Sequence, residues 1–132
     1  MMLSTDPIAD MLSRIRNSIL TKSRSVTVPY SRSKYAVLKV LSDAGWLGGI
    51  ELQGQPPRTI SVTIKYDEQG SSVIRSIKRI SVPGRRMYVG RTELPIVVNN
   101  FGIAVISTSQ GMMSNREARR RKLGGEVMCE VF

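Results

Sequence analysis

The sequence has 132 residues, room for one compact unit or two small lobes that share an interface, and its 41% apolar content is too high for a disordered chain. Lys and Arg number 20 against 10 Asp and Glu, and the resulting charge of +10 points to a polyanionic partner through counterion release. A single cysteine, Cys129, excludes an internal disulfide and a Cys-cluster zinc site, and the absence of histidine removes the commonest general base and metal ligand.

An amphipathic helix is predicted over residues 6–20. Asp6 can cap it, Pro7 fits its first position, and Ile8, Met11, Leu12, Ile15 and Ile19 form one apolar stripe. A short strand around Val26 and Val28 ends at Pro29. A second helix follows over residues 33–44, burying Val37, Val40, Leu41 and Ala44, with Gly45 suited to its C-terminal cap. Residues 46–52 read as a strand, and 59–66 as the clearest strand, with Ile60, Val62, Ile64 and Tyr66 on one face. The polar run 67–72 marks a linker between an N-terminal lobe, 1–66, and a C-terminal lobe, 73–132. The first 72 residues carry 9 basic and 6 acidic side chains and the remainder 11 and 4, so the second lobe holds most of the attracting field.

That second lobe opens with a strand over 73–80, turns at Pro83-Gly84 and returns over 85–89. Residues 93–99 are expected to form a short helix capped by Thr92. Ile103-Ala104-Val105-Ile106 reads as a buried strand. Ser114 and Glu117 have capping-box spacing, so a short helix should start near Asn115 and end before Gly124-Gly125. A last strand over 126–132 would place Val127, Cys129 and Val131 on one face. The expected class is α+β: an α-β-α-β-β lobe followed by a mostly-β lobe with short helices.

Ser107-Thr108-Ser109, followed by Gln110 and Gly111, ends the buried strand in consecutive hydroxyls. Hydroxyls both donate and accept, so they suit phosphate oxygens, ribose hydroxyls or base edges. The alternative is an ordinary polar turn, where Ser and Thr are common. In Ser81-Val82-Pro83-Gly84-Arg85-Arg86-Met87-Tyr88, two arginines sit beside a tight turn: arginine pairs with phosphate, and tyrosine either stacks on an unpaired base or donates from its hydroxyl. The alternative there is a solvated edge strand. The run Arg119-Arg120-Arg121-Lys122 reads as electrostatic support near a helix C-terminus. Arg14, Arg16, Lys22, Arg24, Arg32 and Lys34 make either a secondary basic patch or ordinary surface charge. Walker-type loops, GxSxG and metal-ligand clusters are absent, so no enzyme, cofactor or metal is expected. The N-terminus lacks a long apolar run, and a soluble intracellular protein without a membrane partner is expected.

The chain resembles the bacterial small-subunit ribosomal protein eight family over nearly its full length. The resemblance rests on Asp6-Pro7-Ile8-Ala9-Asp10-Met11-Leu12-Ser13-Arg14-Ile15-Arg16-Asn17, on the segment from Ile80 through Pro83-Gly84 to Tyr88, on the segment from Gly102 to Ala118, and on Gly124-Gly125-Glu126-Val127-Met128-Cys129. It implies direct binding to the central domain of small-subunit ribosomal RNA, assembly of the platform, neighbouring ribosomal proteins as partners, and a ribosome-bound place in the cytoplasm. Family members can also repress their own operon through its messenger RNA. Carried over by motif, the contacts would come from Ser107, Thr108, Ser109, Gln110, Gly111 and Tyr88, with Arg85, Arg86, Arg116, Gly124 and Gly125 alongside and Glu126 positioning the loop. Gln110 stands where the family usually has lysine, and Asn115 where aspartate is common. An extraribosomal regulator of messenger RNA or DNA is the competing function, and an enzyme a distant third.

Overall fold

The computed structural model describes residues 6–99 and 101–132 and divides into two units, Pro7–Arg75 and Ser76–Phe132, the latter including Asp6. The fold is α+β, with the elements of the first unit running α-β-α-β-β.

In that unit, α1 spans Pro7–Leu20 and buries Ile8, Met11, Leu12 and Ile15. The second helix, α2 (Arg32–Asp43), starts earlier than predicted because the Ser31 hydroxyl accepts from the Lys34 amide at 3.2 Å. Gly45 takes φ +86 just beyond its end, the left-handed geometry a helix stop favours. Its buried face is Lys34, Val37, Leu38 and Leu41, while Ala44 at the cap is exposed, contrary to expectation.

Strands β1 (Ser25–Pro29), β2 (Ile50–Gln53) and β3 (Thr59–Thr63) form an antiparallel sheet in the order β1-β3-β2. The register sets Val28 and Leu52 against Ile60, and Val26 and Ile50 against Val62, so one face is aliphatic. The strand expected from residue 46 begins only at Ile50, because Trp46 and Leu47 bury themselves in the turn after α2. The polar run 67–72 closes on itself. Asp67 Oδ1 accepts from the amides of Gln69 and Ser71, both at 2.9 Å.

The second unit is built on β8 (Gly125–Val131). Its partners are β4 (Ile77–Arg79), β5 (Tyr88–Val89) and β6 (Ile103–Thr108), and β6 continues to β7 (Gly111–Ser114). Strands β4 and β5 are shorter than the predicted runs. Between them, Val82 and Arg85 bridge a tight turn and Ser81 leaves the ladder. Helix α3 (Asn115–Arg121) packs on β6 and β7. The core joins Leu94, Val97, Ala104, Ile106, Met113, Ala118 and Val127. Each of its buried Leu, Val, Ile and Met side chains contributes about 1.5–3 kcal/mol by leaving water, and each Ala less.

Two expectations fail here. Residues 93–99 form no helix. The Pro95 carbonyl accepts from Asn115 Nδ2 at 2.8 Å instead of serving a helical turn, and Val98 and Asn99 adopt positive φ. Nor do Val127, Cys129 and Val131 share a face. The register steps from Val105↔Cys129 to Ile106↔Val127, a bulge that takes Met128 out of the pairing. Val127 therefore joins the Ile106 face, while Cys129 and Val131 lie with Val105 and Ile103 on the other. Both faces are buried, which is why simple alternation misreads the strand.

Candidate nucleic-acid interface

The β6–β7 hairpin divides the three hydroxyls. Thr108 Oγ1 donates to the Gly111 carbonyl at 2.8 Å and accepts from the Gln110 amide at 3.0 Å, so it holds the turn together. Gly111 sits at φ +107, where a side chain would be strained. Ser107 and Ser109 flank Thr108 in sequence, and neither hydroxyl bonds any described residue. Ser107 is half-buried, and Ser109 and Gln110 are exposed.

Strand β8 carries Glu126 between two partners. It pairs with Tyr88 on one side and Ser107 on the other, and Ser107 pairs in turn with Met112. Cross-strand partners point to the same face, so Tyr88, Glu126 and Ser107 form one row about 10 Å long, opposite the Val127 and Ile106 core face. Tyr88 is 69% exposed, so its ring is open to a partner rather than packed in the core. Glu126 is held firmly. Its carboxylate accepts a short hydrogen bond from the fully buried Ser81 hydroxyl and another from Arg86 Nη1 at 3.1 Å. The Ser81 hydroxyl also accepts from the Met87 amide at 3.1 Å, which ties the β5 segment to β8. Ser81 opens the candidate segment in the sequence but carries no expected role there, because a lone serine beside a turn gives no signal of burial; the structure makes it the positioning residue.

Gly124 and Gly125 let the backbones meet. A Cβ on Gly125 would lie 2.1 Å from the Ser107 carbonyl oxygen, and one on Gly124 would lie 2.4 Å from that of Val89. Arg85 stands across the tight turn from Val82, exposed and without an ion-pair partner among the described residues. Arg116 is likewise exposed and unpaired, on the first turn of α3.

The predicted capping box is half made. Ser114 Oγ accepts from the Glu117 amide at 3.1 Å, but the Glu117 carboxylate turns to Arg120 and Arg121. Charge-assisted bonds to two guanidiniums outcompete a single neutral amide. The hydrogen bonds from Arg120, then from Arg121, hold the Glu117 carboxyl at about 2, below its ordinary 4.5. The basic run is thus split, with Arg120 and Arg121 paired to one carboxylate and Arg119 and Lys122 unpaired among the described residues.

In the other unit the secondary basic residues are dispersed in role. Lys34 is buried and donates to the Pro29 carbonyl at 3.3 Å, which takes it out of any surface patch. Lys22 donates to the Gly70 carbonyl at 2.8 Å and sits 6.0 Å from the centre of the Tyr66 ring. Arg14, Arg16, Arg24 and Arg32 are exposed. Among the described residues no His, Cys, Asp and Glu group could hold a metal ion, and no helix is long and apolar enough to cross a membrane.

The family model described as Ribosomal protein S8 matches residues 6–132. The chain is 44% identical over 131 residues to small ribosomal subunit protein uS8 of Sorangium cellulosum, covering 98% of this chain and 100% of the relative. It is 43% identical over 129 residues to the protein of that name from Dehalococcoides mccartyi, covering 97% and 98%, and 46% over 127 residues to that from Cellvibrio japonicus, covering 96% and 97%. With the α+β fold and the match running from Asp6 to the last residue, the chain belongs to the ribosomal protein S8 family, a family of structural, non-enzymatic components of the ribosome.

Proposed function

We propose that this chain is a structural constituent of the small ribosomal subunit, ribosome-bound in the cytoplasm, that binds the central domain of small-subunit ribosomal RNA and helps assemble the platform. The observation that carries this reading is the row of Tyr88, Glu126 and Ser107, with Ser109 beyond it. It joins an exposed ring to two hydroxyls that the fold leaves unengaged. Tyr88 stacks on an unpaired base, while Ser107 and Ser109 bond phosphate, ribose or base edges. Glu126, fixed by Ser81 and Arg86, keeps the row in register. Thr108 and Gly111 shape the hairpin, and Gln110 at its tip offers an amide in place of a cation. Gly124 and Gly125 act through close backbone approach. Arg85 and Arg116 add phosphate attraction, and the exposed arginines of the first unit a weaker one. Neighbouring small-subunit proteins are partners, and a similar structure in the operon messenger RNA is a second ligand through which the protein represses translation.

Purified protein should bind a central-domain RNA fragment with affinity that falls as salt rises. Equal affinity for unrelated structured RNAs would overturn the specific reading. Ser109→Trp should weaken binding more than Arg121→Ala, because Arg121 is already paired to Glu117. Cell fractionation separates this function from a free regulator, since a ribosomal protein is stoichiometric in small subunits.

A further inference from the structure

Between the C-terminal end of α3 and the loop after β5 lies an open cleft of about 310 Å³, lined by Arg91, Thr92, Arg119 and Lys122. None of these residues belongs to the Tyr88, Glu126 and Ser107 row. The cleft is held by close backbone approach, since a Cβ on Gly124 would lie 2.9 Å from the Cα of Gly90. Its charged lining residues are all cations. Arg91, Arg119 and Lys122 form no ion pair or side-chain hydrogen bond with any described residue. Their sequence neighbours Arg120 and Arg121 share the single carboxylate of Glu117 and are partly compensated by it. Glu93, whose Oε1 lies 3.2 Å from where a Cβ on Gly90 would stand, is a carboxylate close to the cleft, but it forms no ion pair with these cations. Uncompensated cations gathered on one small cleft repel each other and favour an anion between them. Lys122 also sits at φ +59, a left-handed stop that glycine adopts at lower cost. The Lys122 side chain is therefore carried at a position that glycine would fill at lower cost, beside a helix end that favours a cation.

We propose that this cleft is a second anion site that seats one phosphate of an RNA backbone, apart from the hydroxyl row. Two guanidiniums offer planar forks for phosphate oxygens, the ammonium supplies a compact charge, and the Thr92 hydroxyl is a neutral donor. The volume is at the small end for ligand pockets, suited to one phosphate and its ribose rather than to a stacked base. The proposal rests on the reading that the chain binds RNA.

The test compares the full chain with Arg91→Gln/Arg119→Gln/Lys122→Gln and, as a control, Arg120→Gln/Arg121→Gln, each titrated with the central-domain RNA fragment across a salt series. The triple variant should lower the slope of log affinity against log salt by about one, which is about eightfold weaker binding at roughly 0.1 M salt and convergence with the unmodified chain near 1 M. The control should lose less than the triple variant even though it exposes Glu117, because its arginines are already held by that carboxylate and do not line the cleft. If the unmodified chain binds no RNA, the functional reading and this proposal fall together. If it binds and the triple variant keeps the full slope, this proposal alone falls; a cleft that holds an acidic protein segment would give that result. Equal losses in both variants also overturn it, since the cations would then act only as a general field. Should the triple variant fail to fold by circular dichroism, Arg91→Gln and Lys122→Gly must each lower the slope, and unchanged slopes in both overturn the site.

Discussion

Gly125 lies so close to Ser107 that a Cβ on the glycine would stand 2.1 Å from the serine's carbonyl oxygen. The hydroxyl row therefore depends on a residue with no side chain on the facing strand. Gly125→Ala should push β8 from β6, costing about 1–3 kcal/mol or more by the usual penalty for overpacking. RNA affinity should fall further than stability predicts, because Ser107 is displaced with its strand. Gly49→Ala is the control. Nothing lies within 4 Å of the added Cβ and the backbone is not left-handed, so denaturant midpoints should hardly move. Equal midpoints for the two variants would refute the packing argument.

Much of this was legible in the sequence, and the failures have physical causes. The stripe from Ile8 to Ile15 and the alternation of Ile60 and Val62 follow from period alone, because one face of each element is buried, although β3 stops at Thr63, short of the predicted Ile64 and Tyr66. Strand β8 defeated the same reasoning, because the bulge at Met128 reverses facing in mid-strand and both faces are apolar. The hydroxyls could be singled out by type, but not the division between the turn-closing Thr108 and the unengaged Ser107 and Ser109, which depends on the hairpin register. Ser81 and Glu126 meet across 45 residues, and no local pattern encodes that pairing. The split of the basic run is visible only once α3 is known to bring Glu117 beneath Arg120 and Arg121.

Asn115 is fully buried and works at both ends. Its Oδ1 accepts from the Ala104 amide at 3.2 Å and its Nδ2 donates to the Pro95 carbonyl at 2.8 Å. Aspartate at this position could serve Ala104 but would set an ionised oxygen against the Pro95 carbonyl. Asn115→Asp should cost this chain about 1–3 kcal/mol at neutral pH, the penalty for a buried group left without its partner. The introduced carboxyl would have a raised folded pKa, so the deficit should shrink at low pH, where the protonated acid can donate. Thermal melts at neutral and acid pH check both parts, and a pH-independent deficit would contradict the second.

Cys129 is buried within β8, and burial pushes its thiol up to about 12 from an ordinary 9.0. The unfolded chain releases this proton near pH 9, the folded chain only near 12. The stabilisation from keeping the thiol neutral is therefore complete below about pH 9 and is lost as pH rises towards 12. Alkylation by iodoacetamide at mildly alkaline pH should be slow in the native protein and fast in denaturant. Rapid labelling of the native protein would show that the thiol is neither buried nor neutral.

Glu117 titrates in the opposite sense. Its carboxyl, held at about 2 by Arg120 and Arg121, remains ionised in the folded protein while the unfolded chain takes up a proton near 4.5. Its contribution is present above about pH 4.5 and disappears as pH falls towards 2. The group is solvent-exposed, so salt should screen the effect, and the loss should be smaller at high ionic strength. Glu117→Gln should flatten this part of the acid limb and release two arginines on α3. Released arginines add phosphate attraction, so the variant should bind RNA more tightly at low salt with a steeper salt dependence. A carboxyl resonance that titrates near 4.5 in the native protein, or an unchanged salt slope in the variant, would show that the paired arginines were never withheld from RNA.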